Sequence, residues 1–225
     1  MVDERELTDR IERVPAAPDH IAEMQDYTVQ LGSEDNFEAL WHDFAAELSH
    51  QHGCILLRLH CDTEKPSHYV TYTLWESHRA LVDSIRSMPE APVYPISGKP
   101  HLTYVRTVIH ARGSQLNPNH AASGQVASLR GFYLKVRSEP RFERLWRTSA
   151  RAEAHQRGCL YKRLHRDLNL PTHYISYSLW ADSDAPEQAA SKHAHWQGQH
   201  EPYPLASPVV RMMLEVRGNY IGAGR

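Results

Sequence analysis

The chain has 225 residues and a formal charge of -2, with 41% hydrophobic and 23% charged residues. That balance suits a soluble protein of two modest domains or one double-sized one, and it provides no field to attract nucleic acid or anionic lipid. No segment approaches the roughly 20 apolar residues of a membrane span. The opening MVDERELTDRIERV is acidic where a secretory signal is basic and then apolar. Cys54, Cys61 and Cys159 make no even-numbered disulfide framework, so a reduced, cytoplasmic protein is expected.

Residues 1–20 form an N-terminal extension in which ELTDRIERV suits a short helix. AEMQDYTVQL then reads as a strand. Ser33 opens a helix in the pattern S-E-x-x-F, with Phe37, Leu40 and Trp41 along one stripe. HQHGC at 50–54 ends it, with Gly53 where a left-handed position is wanted. CILLRLH follows as a strand, the segment around Pro66 as a turn, HYVTYTLW as a strand, 77–88 as a second helix and 101–110 as a last strand.

The same order returns after 105 residues. Phe37 meets Phe142, Leu40-Trp41 meets Leu145-Trp146, and HQHGC meets HQRGC at 155–159. Arg58-Leu59-His60 meets Arg163-Leu164-His165, His68-Tyr69 meets His173-Tyr174, and Leu74-Trp75 meets Leu179-Trp180. One offset for so many matches means a tandem duplication. LRGFYLKV is the counterpart first strand, Ser138 opens the counterpart helix, 183–196 suits the second helix and 208–216 the last strand. Past the tryptophans, YPISGKPHLTYVRTVIHARG (94–113) and YPLASPVVRMMLEVRG (203–218) match only after a small length change. The expected divisions are 1–20 extension, 21–113 first unit, 114–124 linker, 125–218 second unit and 219–225 tail.

The fold class is therefore α+β: two tandem ferredoxin-like β-α-β-β-α-β units, each an antiparallel sheet with its helices on one face. The uncovered faces pack together within the chain as a pseudo-dimer, and further homodimerisation is left open. Helix F-x-x-L-W, the following Gly, the strand before a Pro turn and the Y-x-L-W strand end resemble antibiotic-biosynthesis monooxygenase domains of the dimeric α/β-barrel superfamily. The resemblance covers about 22–110 and 127–217. It implies two fused copies paired as family homodimers pair, and a monooxygenase activity of the kind found in antibiotic biosynthesis.

Strand alternation selects the candidate site. Cys54, Leu56, Arg58 and His60 share one face, and Cys159, Tyr161, Arg163 and His165 share its counterpart. Ile55, Leu57 and Leu59 point to the helices, as do Leu160, Lys162 and Leu164. Arg58, His60, Arg163 and His165 are the candidate catalytic residues: arginine neutralises a phenolate or enolate, and histidine moves a proton near neutral pH. Tyr72, Tyr161 and Tyr177 are candidate walls for an aromatic substrate. The resemblance implies a cofactor-independent oxygenase for a phenolic or polycyclic aromatic intermediate, with a small aromatic molecule and oxygen as partners. A polyketide cyclase and a non-catalytic binding or accessory protein are the alternatives.

Haem-degrading relatives imply a ligand histidine on the second helix, where His193 is the nearest match, and an Asn where this chain has Gln30 and Lys135. That mismatch disfavours haem, so no cofactor is expected, with haem and flavin left open. No carboxylate–histidine set recurs at ligand spacing, so no metal is expected. Leu56 against Tyr161 and His52 against Arg157 differ between the copies, which predicts that one half holds the working site.

Overall fold

The computed structural model describes residues 19–87, 91–113, 124–189 and 202–222. The first unit comprises β1 (Ile21–Thr28), α1 (Glu34–Leu48), β2 (Cys54–Asp62), β3 (His68–Trp75), α2 (His78–Ser87) and β4 (His101–Arg112). The second comprises β5 (Val126–Tyr133), α3 (Glu139–Ala154), β6 (Cys159–Asp167), β7 (His173–Trp180) and β8 (Val210–Ile221). Residues 185–189 are helical; most of the second helix expected there, with His193, lies outside the described residues, as does most of the 114–124 linker.

Eight strands close into one antiparallel barrel in the order β1-β3-β2-β8-β5-β7-β6-β4. Each last strand serves both units. The first part of β4, from His101 to Arg106, pairs with β1, and the part from Val105 to Arg112 pairs with β6 of the other unit. β8 does the same with β5 and β2. The two sheets therefore join edge to edge, leaving no open edge. Neighbours alternate in direction around the ring, so β1, β2, β5 and β6 all run the same way. The pseudo-twofold thus lies along the barrel axis, and equivalent side chains meet near it.

Helices cover the outside. Phe37, Trp41, Ala45 and Leu48 of α1 pack with Leu57, Leu59 and Tyr69. Phe142, Trp146 and Ala150 of α3 pack with Phe132, Leu164 and Tyr174, and with Ile109 of the first unit's β4. No described helix is long and apolar enough to cross a membrane.

The structure alters three local readings of the sequence. Register shifts between Cys54 and Leu56 and between Cys159 and Tyr161 mark β-bulges. They turn Cys54 and Cys159 to the helix side and Leu160 into the barrel. The helices end at Leu48 and Ala154, before the glycines. His50 and His155 Nδ1 bond the Ala46 and Arg151 carbonyls of the last turns, while Gly53 (φ 76°) and Gly158 (φ 81°) form the tight turns into the strands. Ser33 and Ser138 precede their helices without a side-chain cap, because their ψ of 11° and 3° is not the extended one a capping serine adopts.

The last strands are equivalent at an offset of 109, since Val105 pairs with Asp167 as Leu214 pairs with Asp62. Gly113 and Gly222 then correspond, their amides donating to Leu160 and Ile55 carbonyls at 3.0 Å each. Gly218, matched to Gly113 by sequence, instead lies against the Trp41 ring, where a Cβ would sit 2.6 Å away. β8 reaches Ile221, so residues 219–221 belong to the barrel and not to a tail.

Beneath α3 the second unit departs from the first. Lys162 pairs with Glu153, itself hydrogen-bonded by Ser149 at 3.1 Å, and all three are buried. At the 105 offset the first unit has Leu57, Leu48 and Phe44. Glu153→Leu should cost roughly 3–5 kcal/mol by stranding the ammonium, while adding Lys162→Leu should restore most of it. Equilibrium urea unfolding reads both. Gly53→Ala should cost roughly 2–5 kcal/mol, from the left-handed backbone and a Cβ 2.4 Å from that of Ala80. Gly98→Ala, with φ 80° but no atom within 4 Å, should show only the backbone cost of about 1–2 kcal/mol.

Candidate functional site

Arg58, His60, Tyr72, Tyr161, Arg163, His165 and Tyr177 all project into the barrel and form one group. β2 and β6 present the arginines and histidines, and β3 and β7 the tyrosines paired opposite them: Arg58 with Tyr72 and Arg163 with Tyr177. The Tyr72 and Tyr177 rings stack across the pseudo-twofold at 4.4 Å and 8°. Each meets the other unit's histidine: His60 Nε2 lies 2.9 Å from the Tyr177 hydroxyl, and His165 Nε2 lies 3.2 Å from the Tyr72 hydroxyl. Closing the barrel brings the candidate residues of both halves to its axis, so they form one group and not two.

The hydrogen bonds assign the protons. His60 Nδ1 faces the Val70 carbonyl at 3.0 Å, so Nδ1 carries the hydrogen and Nε2 accepts from Tyr177. Burial drives the His60 imidazole down to about 3, with the Val70 bond opposing and Arg58 adding to the effect. His165 is held well below its ordinary value by burial, Arg163, His110 and His20. Arg163 Nη1 donates to the Tyr72 hydroxyl at 3.2 Å, Tyr72 donates to neutral His165, and His165 Nδ1 meets Thr107 Oγ1 at 3.1 Å. Burial pushes the Tyr72 phenol up to about 12, although Arg163 pulls it down. Both histidines are therefore neutral, and both tyrosines keep their protons at neutral pH.

The arginines keep their charge at any working pH. Arg58 Nε donates to Asn219 Oδ1 at 2.8 Å and Nη1 to the Tyr161 hydroxyl. The Arg58 and Arg163 guanidinium carbons lie 5.4 and 4.5 Å from the Tyr161 ring centroid. Neither arginine takes part in an ion pair among the described residues. Arg58, Tyr161 and Arg163 retain 6%, 6% and 8% exposure, whereas His60, His165 and Tyr177 retain none, so the arginine–tyrosine side is the approachable one.

Asn219, His110, Thr107 and His20 were not singled out by sequence. Asn219 and His110 hold equivalent places opposite Arg58 and Arg163. The change of offset to 109 hides that relation, and both follow bulges that reverse the simple alternation. Burial, Arg163, His20 and Arg112 lower His110 to about 4. Cys54 and Cys159 are free, and burial pushes their thiols up to about 12 and 11, which leaves them protonated. Among the described residues no three His, Cys, Asp or Glu side chains converge as metal ligands.

At the other barrel end the units repeat an Asp–His pair. His68 Nδ1 lies 3.0 Å from Asp62, and Nε2 lies 3.3 Å from Asp26. His173 has Asp167 at 2.9 Å, with Gly131 in place of the second acid. Asp26, despite burial, raises His68 above its ordinary value, with Asp62 assisting. A raised histidine contributes stability that is fully present below about pH 6.5 and is lost as pH rises through its folded value. Wild type should therefore lose its stability advantage over His68→Gln as pH rises above about 6.5. A pH series of thermal unfolding measures this, and a constant difference would contradict it.

The antibiotic biosynthesis monooxygenase family profile matches residues 20–90 and 132–202, once in each unit. A provisionally assigned monooxygenase of Fusobacterium nucleatum superposes with a TM-score of 0.71 at 13% identity, over 93% of this chain and 97% of that one. A similarly assigned protein of Lactobacillus acidophilus gives 0.67 at 10% identity, over 91% and 97%. An anthrone oxidase-like protein gives 0.64 at 12% identity, over 92% and 95%. The comparison with curated proteins gave no match. These identities speak for the fold, whereas the family is carried by the two profile matches: the chain belongs to the antibiotic biosynthesis monooxygenase family, with two fused copies of its domain.

Proposed function

We propose that the protein is a cofactor-independent oxygenase acting on a phenolic or polycyclic aromatic natural-product intermediate, with the barrel interior as its site. The observation that carries this reading is the pair of buried guanidiniums beside Tyr161 with no carboxylate among the described residues to neutralise them. Two such charges in a low-dielectric interior favour bound phenol or enol as its anion. Tyr161, which keeps 6% exposure and stacks on Tyr177, supplies flat apolar surface for a ring system. Family membership and the whole-chain likeness to an anthrone oxidase-like fold support the same choice.

In this reading Arg58 and Arg163 hold the oxyanion, and the proton leaves to solvent, because both buried histidines are poor bases. His165 and His60 act by fixing Tyr72 and Tyr177. The electron-rich anion reduces oxygen at carbon, and loss of water from the resulting hydroperoxide leaves a carbonyl. For anthrone, one molecule of oxygen converts the methylene to carbonyl, with one oxygen atom in the quinone and the other in water.

A non-catalytic binding protein is the second reading, favoured by the complete enclosure of His60, His165 and Tyr177. Oxygen uptake with anthrone separates the two. The oxygenase should consume one oxygen per anthrone, and Arg163→Met should lower kcat at least about 100-fold, as loss of an oxyanion donor does. Uptake at the uncatalysed rate, or equal uptake by the variant, would overturn the oxygenase.

A further inference from the structure

We infer that the barrel interior takes its ligand as a planar conjugated oxyanion and that binding draws a proton onto the His20–His110 side of the site. This rests on the barrel interior being the binding site, but not on any reaction there. Three features of the geometry lead to it.

The first is the unbalanced charge. Arg58 and Arg163 flank one ring, and their hydrogen-bond partners, Asn219, Tyr161 and Tyr72, include no carboxylate. Buried cations without a counter-charge are costly, and the two also repel each other. An anion between them would relieve both costs.

The second is the route. Strands β1, β2, β5 and β6 begin at one end of the barrel. There His20, His110 and Asn219 are half-buried and Arg112 is exposed. His110 pairs across the ladder with Arg163, and its ring meets Tyr161 edge-on at 6.1 Å. The apolar body of a ligand would stack by Tyr161 and its oxyanion would reach the guanidiniums.

The third is the asymmetry. Around Arg58 the corresponding places hold Asn219 and Gln125, which do not titrate. Around Arg163 they hold His110, across the ladder, and His20, whose carbonyl accepts from the Thr107 amide at 2.8 Å. His110 is faced by Arg163, His20, Arg112 and Tyr161, and His20 by Arg163, His110, Glu76 and Asp19. Burial and these cations keep His110 and His20 uncharged, with Glu76 and Asp19 opposing the effect at His20. An anion beside Arg163 offsets the cationic field, so a histidine becomes easier to protonate as the ligand arrives. The linkage sign is fixed: affinity rises as pH falls from about 7.5 to 6, provided the ligand itself stays ionised.

Benzoate and its neutral isostere benzamide are the probes, titrated calorimetrically into the full chain at pH 6 and 7.5, in buffers of different ionisation enthalpy. Benzoate should bind at least tenfold more tightly than benzamide, take up a proton at pH 6, and bind more tightly there than at 7.5. His110→Gln should keep benzoate binding and lose most of the proton uptake. Arg163→Met should weaken benzoate at least tenfold while raising the ligand-free melting temperature, because it removes one of two repelling charges; the raised temperature also shows that the variant folds. Equal affinity for the two probes, no benzoate binding, or unchanged binding by Arg163→Met overturns the anion site. Benzoate binding without buffer-dependent heat overturns the coupling to histidine. Benzoate binding without anthrone-driven oxygen uptake leaves this site standing and removes the oxygenase reading.

Discussion

The structure depends on how the two last strands are shared. β4 and β8 each pair first with their own unit and then run on to pair with the other, which hydrogen-bonds the two sheets into a ring. An antiparallel sheet of one unit alone would expose two edges and one large apolar face. Sharing the strands removes both problems at once. It also draws Ile109 of the first unit under α3, and Gly218 and Tyr220 of the second against Trp41 and His42 of α1. Neither unit has a complete core without the other.

The same closure creates the polar interior. Each histidine is satisfied by a tyrosine from the opposite unit, and the stacked tyrosine pair straddles the axis. These contacts meet the requirement that buried polar groups be hydrogen-bonded. They do not cancel charge. The barrel therefore contains a hydrogen-bonded frame that is nearly symmetric and an arginine pair whose surroundings are not, with Tyr161, His110 and His20 on one side only. Duplication supplied the frame, and divergence at Leu56/Tyr161, Asn219/His110 and Gln125/His20 made it directional. A second departure lies outside the barrel, where Lys162, Glu153 and Ser149 replace an apolar set beneath α3.

Much of the fold was legible because the repeat runs at one offset through both long helices and six strands. Strand alternation placed Arg58, His60, Arg163 and His165 on the interior face, since two-residue periodicity survives wherever pairing is regular. It failed at Cys54, Cys159 and Leu160, where bulges insert one residue and reverse the faces. It also missed Asn219, because the last strands change offset by four residues and carry few identical side chains. The repeated HQxGC motif follows a helix end, its histidine bonding the last turn and its glycine allowing close approach of Ala80 or Ala185.

What the sequence by itself determined is the duplicated α+β unit, its helix and strand order, and which residue types face inward, because these follow from local periodicity and from repetition. Only the tertiary structure decided that the units share strands, that each histidine pairs with the other unit's tyrosine, and that two arginines converge on a single ring with no carboxylate among the described residues. Those facts depend on contacts between residues about a hundred positions apart. Register and barrel closure set such contacts, and no local pattern encodes them.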